Sequence, residues 1–119
     1  MKHCLVADDS EVIRKVARQV LESMSFEVSE AQNGQETLET CRQRMPDAIF
    51  LDWSMPDMTG LQVLGALRSS DKKPYILCCL TENDADDIAR ARAAGADDVL
   101  LKPFHGHDLE AKLVDAGIG

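Results

Sequence analysis

The pattern of this chain predicts a doubly wound α/β domain, a parallel β-sheet covered by helices on both faces. Three observations carry that prediction. Short apolar runs alternate five times with longer stretches of helical periodicity. The links between them are short, and strand–helix alternation with short links is the pattern of a parallel sheet built from crossover units. One run, Tyr75-Ile76-Leu77-Cys78-Cys79-Leu80, is apolar throughout, as a strand covered on both faces must be.

The first run, Cys4-Leu5-Val6-Ala7, ends at Asp8-Asp9. Val12, Ile13, Val16, Ala17, Val20, Leu21 and Met24 then mark one face of a first helix. From Phe26 to Ala31, Phe, Val and Ala alternate with Glu and Ser, a half-exposed second strand. Asn33 can cap the second helix, with Glu36 three residues on in a variant of the capping box. Pro46 stops that helix. The third strand, Ala48-Ile49-Phe50-Leu51, ends at Asp52, and a loop leads into a short third helix with Leu61, Val63, Leu64 and Leu67. Pro74 precedes the fourth strand, which ends at Thr81. Asp84, Asp86 and Asp87 fall in the first turn of a fourth helix, where the helix dipole favours negative charge. Gly95 suits the position just past its end. Val99-Leu100-Leu101 is the fifth strand, followed by Lys102-Pro103. Leu109, Leu113 and Ala116 give the last helix a buried stripe.

Composition narrows the function. The 119 residues are one domain's worth and are read as a single domain over 1–119, with no linker and no effector domain. A net charge of −8 argues against a nucleic-acid partner, whose binding rests on Lys and Arg neutralising phosphates, and against an anionic membrane surface. No apolar run approaches the ~20 residues that span a bilayer. The N-terminus, Met1-Lys2-His3 before a short apolar run and two aspartates, does not read as a signal peptide. Cys4, Cys41, Cys78 and Cys79 lack C-x-x-C spacing and are expected as buried free thiols of a reducing cytoplasm.

Carboxylates gather at one edge. If the first and third strands are adjacent, Asp8, Asp9 and Asp52 meet at the strands' carboxyl ends, where open α/β sheets place their chemistry. Crowded carboxylates raise each other's pKa unless a cation neutralises them. An all-oxygen donor set suits a hard cation such as Mg²⁺.

Five signals now stand in order at consecutive strand ends: Asp8-Asp9, Asp52, Met55-Pro56 with Gly60, Thr81, and Lys102-Pro103. Together they resemble the response-regulator receiver domain of two-component signalling, over essentially the whole chain. The string Asp52-Trp53-Ser54-Met55-Pro56-Asp57-Met58-Thr59-Gly60 is similar to that family's loop, and especially to that of its chemotaxis members. The resemblance implies a flavodoxin-like (βα)5 fold with strand order 2-1-3-4-5. It implies Asp52 as the phosphoacceptor, a carboxylate nucleophile that forms an acyl phosphate. Asp9, Asp52 and the backbone carbonyl of Ser54 would hold Mg²⁺ directly, and Asp8 through a metal-bound water. Lys102 and the Thr81 hydroxyl would contact phosphoryl oxygens, whose charge must be neutralised in transfer. The Lys102–Pro103 bond is expected to be cis. Gly60 is read as giving the loop freedom that a Cβ would restrict. Trp53 either stacks on the rim of the site or fills space. His105 and His107 form an H-x-H pair, read as solvated loop histidines because no Cys or third His accompanies them.

The implied function is that of a cytoplasmic, single-domain response regulator. It would take a phosphoryl group from a sensor histidine kinase or a histidine phosphotransfer protein. It would then switch binding of a protein target through the fourth helix, fifth strand and fifth helix, with Arg90, Arg92 and Lys112 as candidate contacts. It is not expected to be an enzyme beyond its own phosphotransfer and autodephosphorylation. Some positions depart from the family: Val99 stands where an aromatic is common, and Glu82 where a small residue is preferred. Ser54 and Asn83 occupy positions that tune the lifetime of the aspartyl phosphate. A phosphorylation-independent receiver-like adaptor is the alternative, favoured by Val99 and Glu82 and disfavoured by the intact acceptor set. A phosphatase of the haloacid dehalogenase type would need a second Asp where Ser54 stands. A flavin-binding relative would need a phosphate loop where Asp8-Asp9-Ser10 repels one.

Overall fold

Apolar residues of each central strand point alternately to two separate cores, and this divides the molecule into layers. The structure is a computed structural model and describes residues 1–67, 71–81 and 84–118. Glu82 and Asn83 therefore lie outside the described residues. In chain order the elements are β1 (His3–Ala7), α1 (Glu11–Ser23), β2 (Glu27–Ala31), α2 (Gly34–Gln43), β3 (Ala48–Asp52), α3 (Gly60–Leu67), β4 (Tyr75–Leu80), α4 (Ala85–Ala93), β5 (Asp98–Leu101) and α5 (Gly106–Asp115). The strands are parallel and ordered β2-β1-β3-β4-β5, the predicted topology.

Leu5, Ala7, Ile49, Leu51, Ile76, Cys78 and Val99 face one core with residues of α2, α3 and α4. Cys4, Val6, Phe50, Leu77, Cys79 and Leu100 face the other with Ala17 and Leu21 of α1 and Leu109 and Leu113 of α5. Each fully buried Leu or Phe contributes roughly 1.5–3 kcal/mol relative to exposure, so these two layers hold the sheet flat against its helices. All four cysteines are buried and free. Burial pushes the Cys4, Cys78 and Cys79 thiols up to about 12 and the Cys41 thiol to about 11, so these are packing groups rather than nucleophiles.

Three residues of the expected apolar patterns lie outside, Leu61 at 46% exposure among them, since it sits two positions before the buried Val63 and so on the other side of α3. Val12 is 70% exposed because it sits one residue before the buried stripe of α1 and is turned toward solvent. Ala116 is exposed because it is the C-cap of α5, one residue past the last packed turn. At α2, Asn33 caps as expected, accepting the Glu36 N–H at 2.8 Å. The Glu36 carboxylate reaches back to the Gln32 N–H at 3.3 Å, one residue before the cap.

Three helices end in the same way. Past α1, α4 and α5, a residue of positive φ (Ser25 at 68°, Gly95 at 117°, Gly117 at 76°) reverses the chain. The next residue then donates back into the last turn: Phe26 to the Leu21 carbonyl at 3.0 Å, Ala96 to Ala91 at 3.0 Å and Ile118 to Leu113 at 3.2 Å. These are Schellman closures, for which glycine is the usual residue. At Ser25 a Cβ occupies the left-handed region. Ser25→Gly is expected to raise the unfolding free energy by about 0.5–1 kcal/mol, because relief of the left-handed strain exceeds the added chain entropy. Urea unfolding of both proteins checks this, and a lower midpoint for the variant would count against it.

Candidate functional site

The register of β1 and β3 brings the acidic residues together. Ala7 pairs with Leu51, so Asp8 and Asp52 leave the two strands side by side. Both are buried, whereas Asp9, one residue on, is exposed. One carboxylate oxygen from each of Asp8, Asp9 and Asp52 lies within 4.8 Å of the others.

Each member of the cluster is held by its own local structure. Asp8 Oδ1 accepts the Ser10 N–H at 2.8 Å, the turn that leads into α1. Ser10 then caps that helix by accepting the Ile13 N–H at 3.3 Å. Arg14, one turn into α1, donates from Nη1 to the Asp8 carbonyl at 2.8 Å and from Nε to Glu30 of β2 at 3.1 Å. Lys102 directly follows β5, and its Nζ sits 2.8 Å from Asp8 Oδ2 and 3.5 Å from Asp52 Oδ1. The Lys102–Pro103 peptide is cis. Thr81 stands exposed directly after β4. Ser54 is exposed beside the cluster, and its N–H donates to Asp52 Oδ1 at 3.3 Å.

Among the described residues three carboxylates face one ammonium, which leaves an excess of two negative charges when all are ionised. Burial, and then the charge of Asp8, raise the Asp52 carboxyl to about 6, while Lys102 and the Ser54 amide oppose the rise. Burial works against the Lys102 ammonium, but its hydrogen bond to Asp8 and the charge of Asp52 outweigh it and raise its pKa. Close carboxylate oxygens, two of them buried and undercompensated, match the donor set of a hard divalent cation such as Mg²⁺. Asp8, Asp9 and Asp52 are the side chains that could hold it.

The loop after Asp52 is tied to the sheet. The Trp53 N–H donates to the Cys79 carbonyl at 2.9 Å, Ser54 and Thr59 form an antiparallel bridge, and the Gly60 N–H donates to the Trp53 carbonyl at 2.8 Å. Gly60 has no positive φ; a Cβ there would run into the Trp53 ring. Its role is therefore space for the indole rather than backbone freedom. Trp53 is half-buried against the core beneath, which settles its place as packing.

Other candidates fall elsewhere. His105 and His107 stack at 5.4 Å, exposed at the start of α5, where Asp108 accepts the His105 N–H at 2.8 Å. Arg90 pairs with Asp87 at 3.0 Å, and Arg92 and Lys112 converge on Asp98 at 3.3 and 3.2 Å. Sequence reasoning missed Arg14, whose link to Asp8 depends on the first turn of α1 and has no short-range signature. It also missed Asp57, which accepts the N–H groups of Gly34 and Gln35 across the chain at 2.7 and 3.0 Å.

A doubly wound sheet with an aspartate cluster and a lysine at its carboxyl edge defines a signalling module of the two-component class. The chain belongs to the response regulator receiver domain family, whose model matches residues 4–114. It is 38% identical over 109 residues to the transcriptional regulatory protein PrrA of Mycobacterium tuberculosis, covering 92% of this chain and 46% of that protein. It is 37% identical over 113 residues to the KDP operon transcriptional regulatory protein KdpE of Escherichia coli, covering 95% of this chain and 50% of that protein. The chain thus spans about half the length of these curated relatives. Among solved structures, the chemotaxis response regulator CheY4 of Vibrio cholerae superposes with a TM-score of 0.91 at 32% identity, covering 97% of this chain and 98% of that one. Phosphoryl acceptance on an aspartate is general for this family.

Two outcomes follow from the electrostatics. Lys102→Met removes the ammonium and leaves buried carboxylates without a partner, a change that typically costs about 3–5 kcal/mol. Its urea midpoint in EDTA is expected to fall accordingly, and a midpoint equal to wild type would show that the pair carries no weight. Asp52 has a folded pKa of about 6 against an ordinary value of 3.8. Between those values the folded state binds more protons than the unfolded one, so this group's contribution to stability falls as pH rises through the window. Asp52→Asn is expected to flatten that part of the stability curve of the metal-free protein and to raise stability at neutral pH. Parallel curves for the two proteins would assign the cost elsewhere.

Proposed function

We propose that this receiver accepts a phosphoryl group on Asp52 from a histidine kinase or a histidine phosphotransfer protein, with Mg²⁺, and so switches its binding to a protein target. The observation that carries the reading is the placing of Asp52, buried at the end of β3 within the carboxylate cluster and 3.5 Å from Lys102 Nζ. In transfer, an Asp52 oxygen attacks phosphorus, the phosphorus–nitrogen bond of the donor phosphohistidine breaks, and the imidazole leaves with that electron pair. With a carboxyl pKa of about 6, Asp52 is mostly ionised at neutral pH and available as the nucleophile.

Asp8, Asp9, Asp52 and the Ser54 carbonyl would hold Mg²⁺, which when bound neutralises charge on the phosphoryl oxygens. Lys102, already poised between Asp8 and Asp52, would donate to a phosphoryl oxygen, and the Thr81 hydroxyl to another. Beyond this self-modification no catalysis of other substrates is proposed.

The target would dock on α4, β5 and α5. A groove of about 460 Å³ there, lined by Ile88, Val99, Leu101 and Ala111 among others, supports that surface. Four free, buried thiols accord with the cytoplasm.

Intact-mass spectrometry of wild type and Asp52→Ala, after a small-molecule phosphodonor with Mg²⁺, tests the reading. One added phosphoryl group is expected on wild type, and none on the variant or in EDTA. No adduct on folded wild type, with partner kinases also tried, would favour the phosphorylation-independent adaptor.

A further inference from the structure

The loop between Asp52 and α3 is tied to the sheet through Trp53 and closed on itself through Gly60, but its tip is tied to a different element. Both oxygens of Asp57 accept backbone amides at the start of α2, Oδ1 from Gly34 at 2.7 Å and Oδ2 from Gln35 at 3.0 Å. Next to it, Met58 lies so close to Gly34 that a Cβ on Gly34 would come within 2.6 Å of the Met58 Cβ. Loop and helix therefore meet through a two-pronged hydrogen bond and a contact that only glycine admits.

α2 does not need this carboxylate as a cap. Asn33 already occupies that place and takes the Glu36 amide. Gly34, buried, and Gln35, exposed, stand in the first turn, where the helix supplies no carbonyl for their N–H groups. The loop gains as well as the helix. Pro56, Asp57 and Thr59 are exposed, and the tip that carries them hangs beyond the Ser54–Thr59 bridge. The negative charge of Asp57 is also placed on the positive end of a helix dipole, away from the crowded carboxylates. The two amides hold its carboxyl below the usual carboxylate range, so it stays ionised.

We propose that Asp57 is a positioning residue for the cation site: by anchoring the tip of the loop to α2, it fixes the backbone at Ser54, whose carbonyl completes the donor set of Asp8, Asp9 and Asp52. This rests on the cation-binding reading given above. Residues that orient ligands from behind typically change metal affinity by ~10-fold or more, and a single backbone donor fixed at a distance belongs at the low end.

The test is a Mg²⁺ titration followed by the fluorescence of Trp53, the one tryptophan, which adjoins Asp52. Wild type, Asp57→Ala and Asp57→Asn are compared, each with a thermal midpoint in EDTA and amide spectra covering Gly34 and Gln35. Asp57→Ala is expected to shift both amide resonances and to weaken Mg²⁺ binding about tenfold. Asp57→Asn keeps one acceptor and should fall between Asp57→Ala and wild type, which keeps the test open if the alanine variant does not fold. Phosphorylation of either variant should recover at saturating Mg²⁺, because the nucleophile itself is intact. A lower midpoint in EDTA with Mg²⁺ affinity within twofold of wild type would reduce Asp57 to a purely structural tie and overturn the proposal. Wild type that binds no Mg²⁺ would instead overturn the cation-site reading on which it stands.

Discussion

Lys102 is the group on which the carboxyl edge of this sheet depends. Burying a carboxylate without a partner costs several kcal/mol, roughly the scale of a domain's whole stability. This fold buries two, Asp8 and Asp52, in neighbouring positions. The ammonium that makes this tolerable comes from the far end of the chain, from the residue after β5. It can reach Asp8 at 2.8 Å only if β5 is paired with β4 so that Leu101 lies level with Leu80. Strand order and register are thus under electrostatic as well as hydrophobic constraint. A slip of one residue in β5 would turn Val99 and Leu100 to the wrong cores and would also withdraw the cation.

Much of this was legible in the sequence because it is written in local patterns. The apolar runs gave the strands to within a residue or two, since alternation and length are properties of consecutive residues. The cap at Asn33 and the closure at Gly95 were readable because each uses a residue type chosen for one backbone task, whereas Asp84, expected in the first turn of α4, is its N-cap. Asp8, Asp9, Asp52 and Lys102 were readable because charged residues at the ends of apolar runs have few structural reasons to be there. What the sequence hid is made by contacts between distant segments or by tolerated exceptions. Ser25 closes α1 in a conformation that glycine normally serves, so nothing marked it. Asp57 looks like any loop aspartate until the fold sets it against Gly34. Gly60 looked like a hinge, but its reason is the indole of Trp53 packed over it.

The way α4 is held bears on the proposed output surface. Its buried contact is made by Ala91, with Ile88 half-buried, and the residues that follow into β5 are Ala94 and Ala96. Small side chains bury little area, so packing contributes less here than at α1 or α5, where Leu21, Leu109 and Leu113 are engaged. The helix is fixed chiefly at its two ends. At one, Asp84 accepts the Asp86 and Asp87 amides at 2.8 and 3.4 Å; at the other, Gly95 closes the last turn. An element held by its ends and thinly packed along its length is the one that a modest change at the sheet edge can shift. Val99, smaller than the aromatic common at its position, is consistent with that thin packing.

The carboxyl edge and α4 share one structural member, the end of β4. The Cys79 carbonyl receives the Trp53 amide at 2.9 Å and the Leu80 carbonyl receives the Lys102 amide at 2.7 Å. The last two residues of β4 are therefore bonded on one side to the loop that follows Asp52 and on the other to Lys102, just past the end of β5. Thr81 follows at once, and the cap of α4 stands three residues further on. If phosphorylation recruits Lys102 from Asp8 to a phosphoryl oxygen, both attachments of this strand end are loaded together. A movement there would, on the proposed reading, reach the N-terminus of α4 along the chain that follows Thr81. On the proposed reading, then, this receiver needs no aromatic side chain to couple its acceptor to its output face. On that reading Val99 would mark a simpler linkage rather than a broken one.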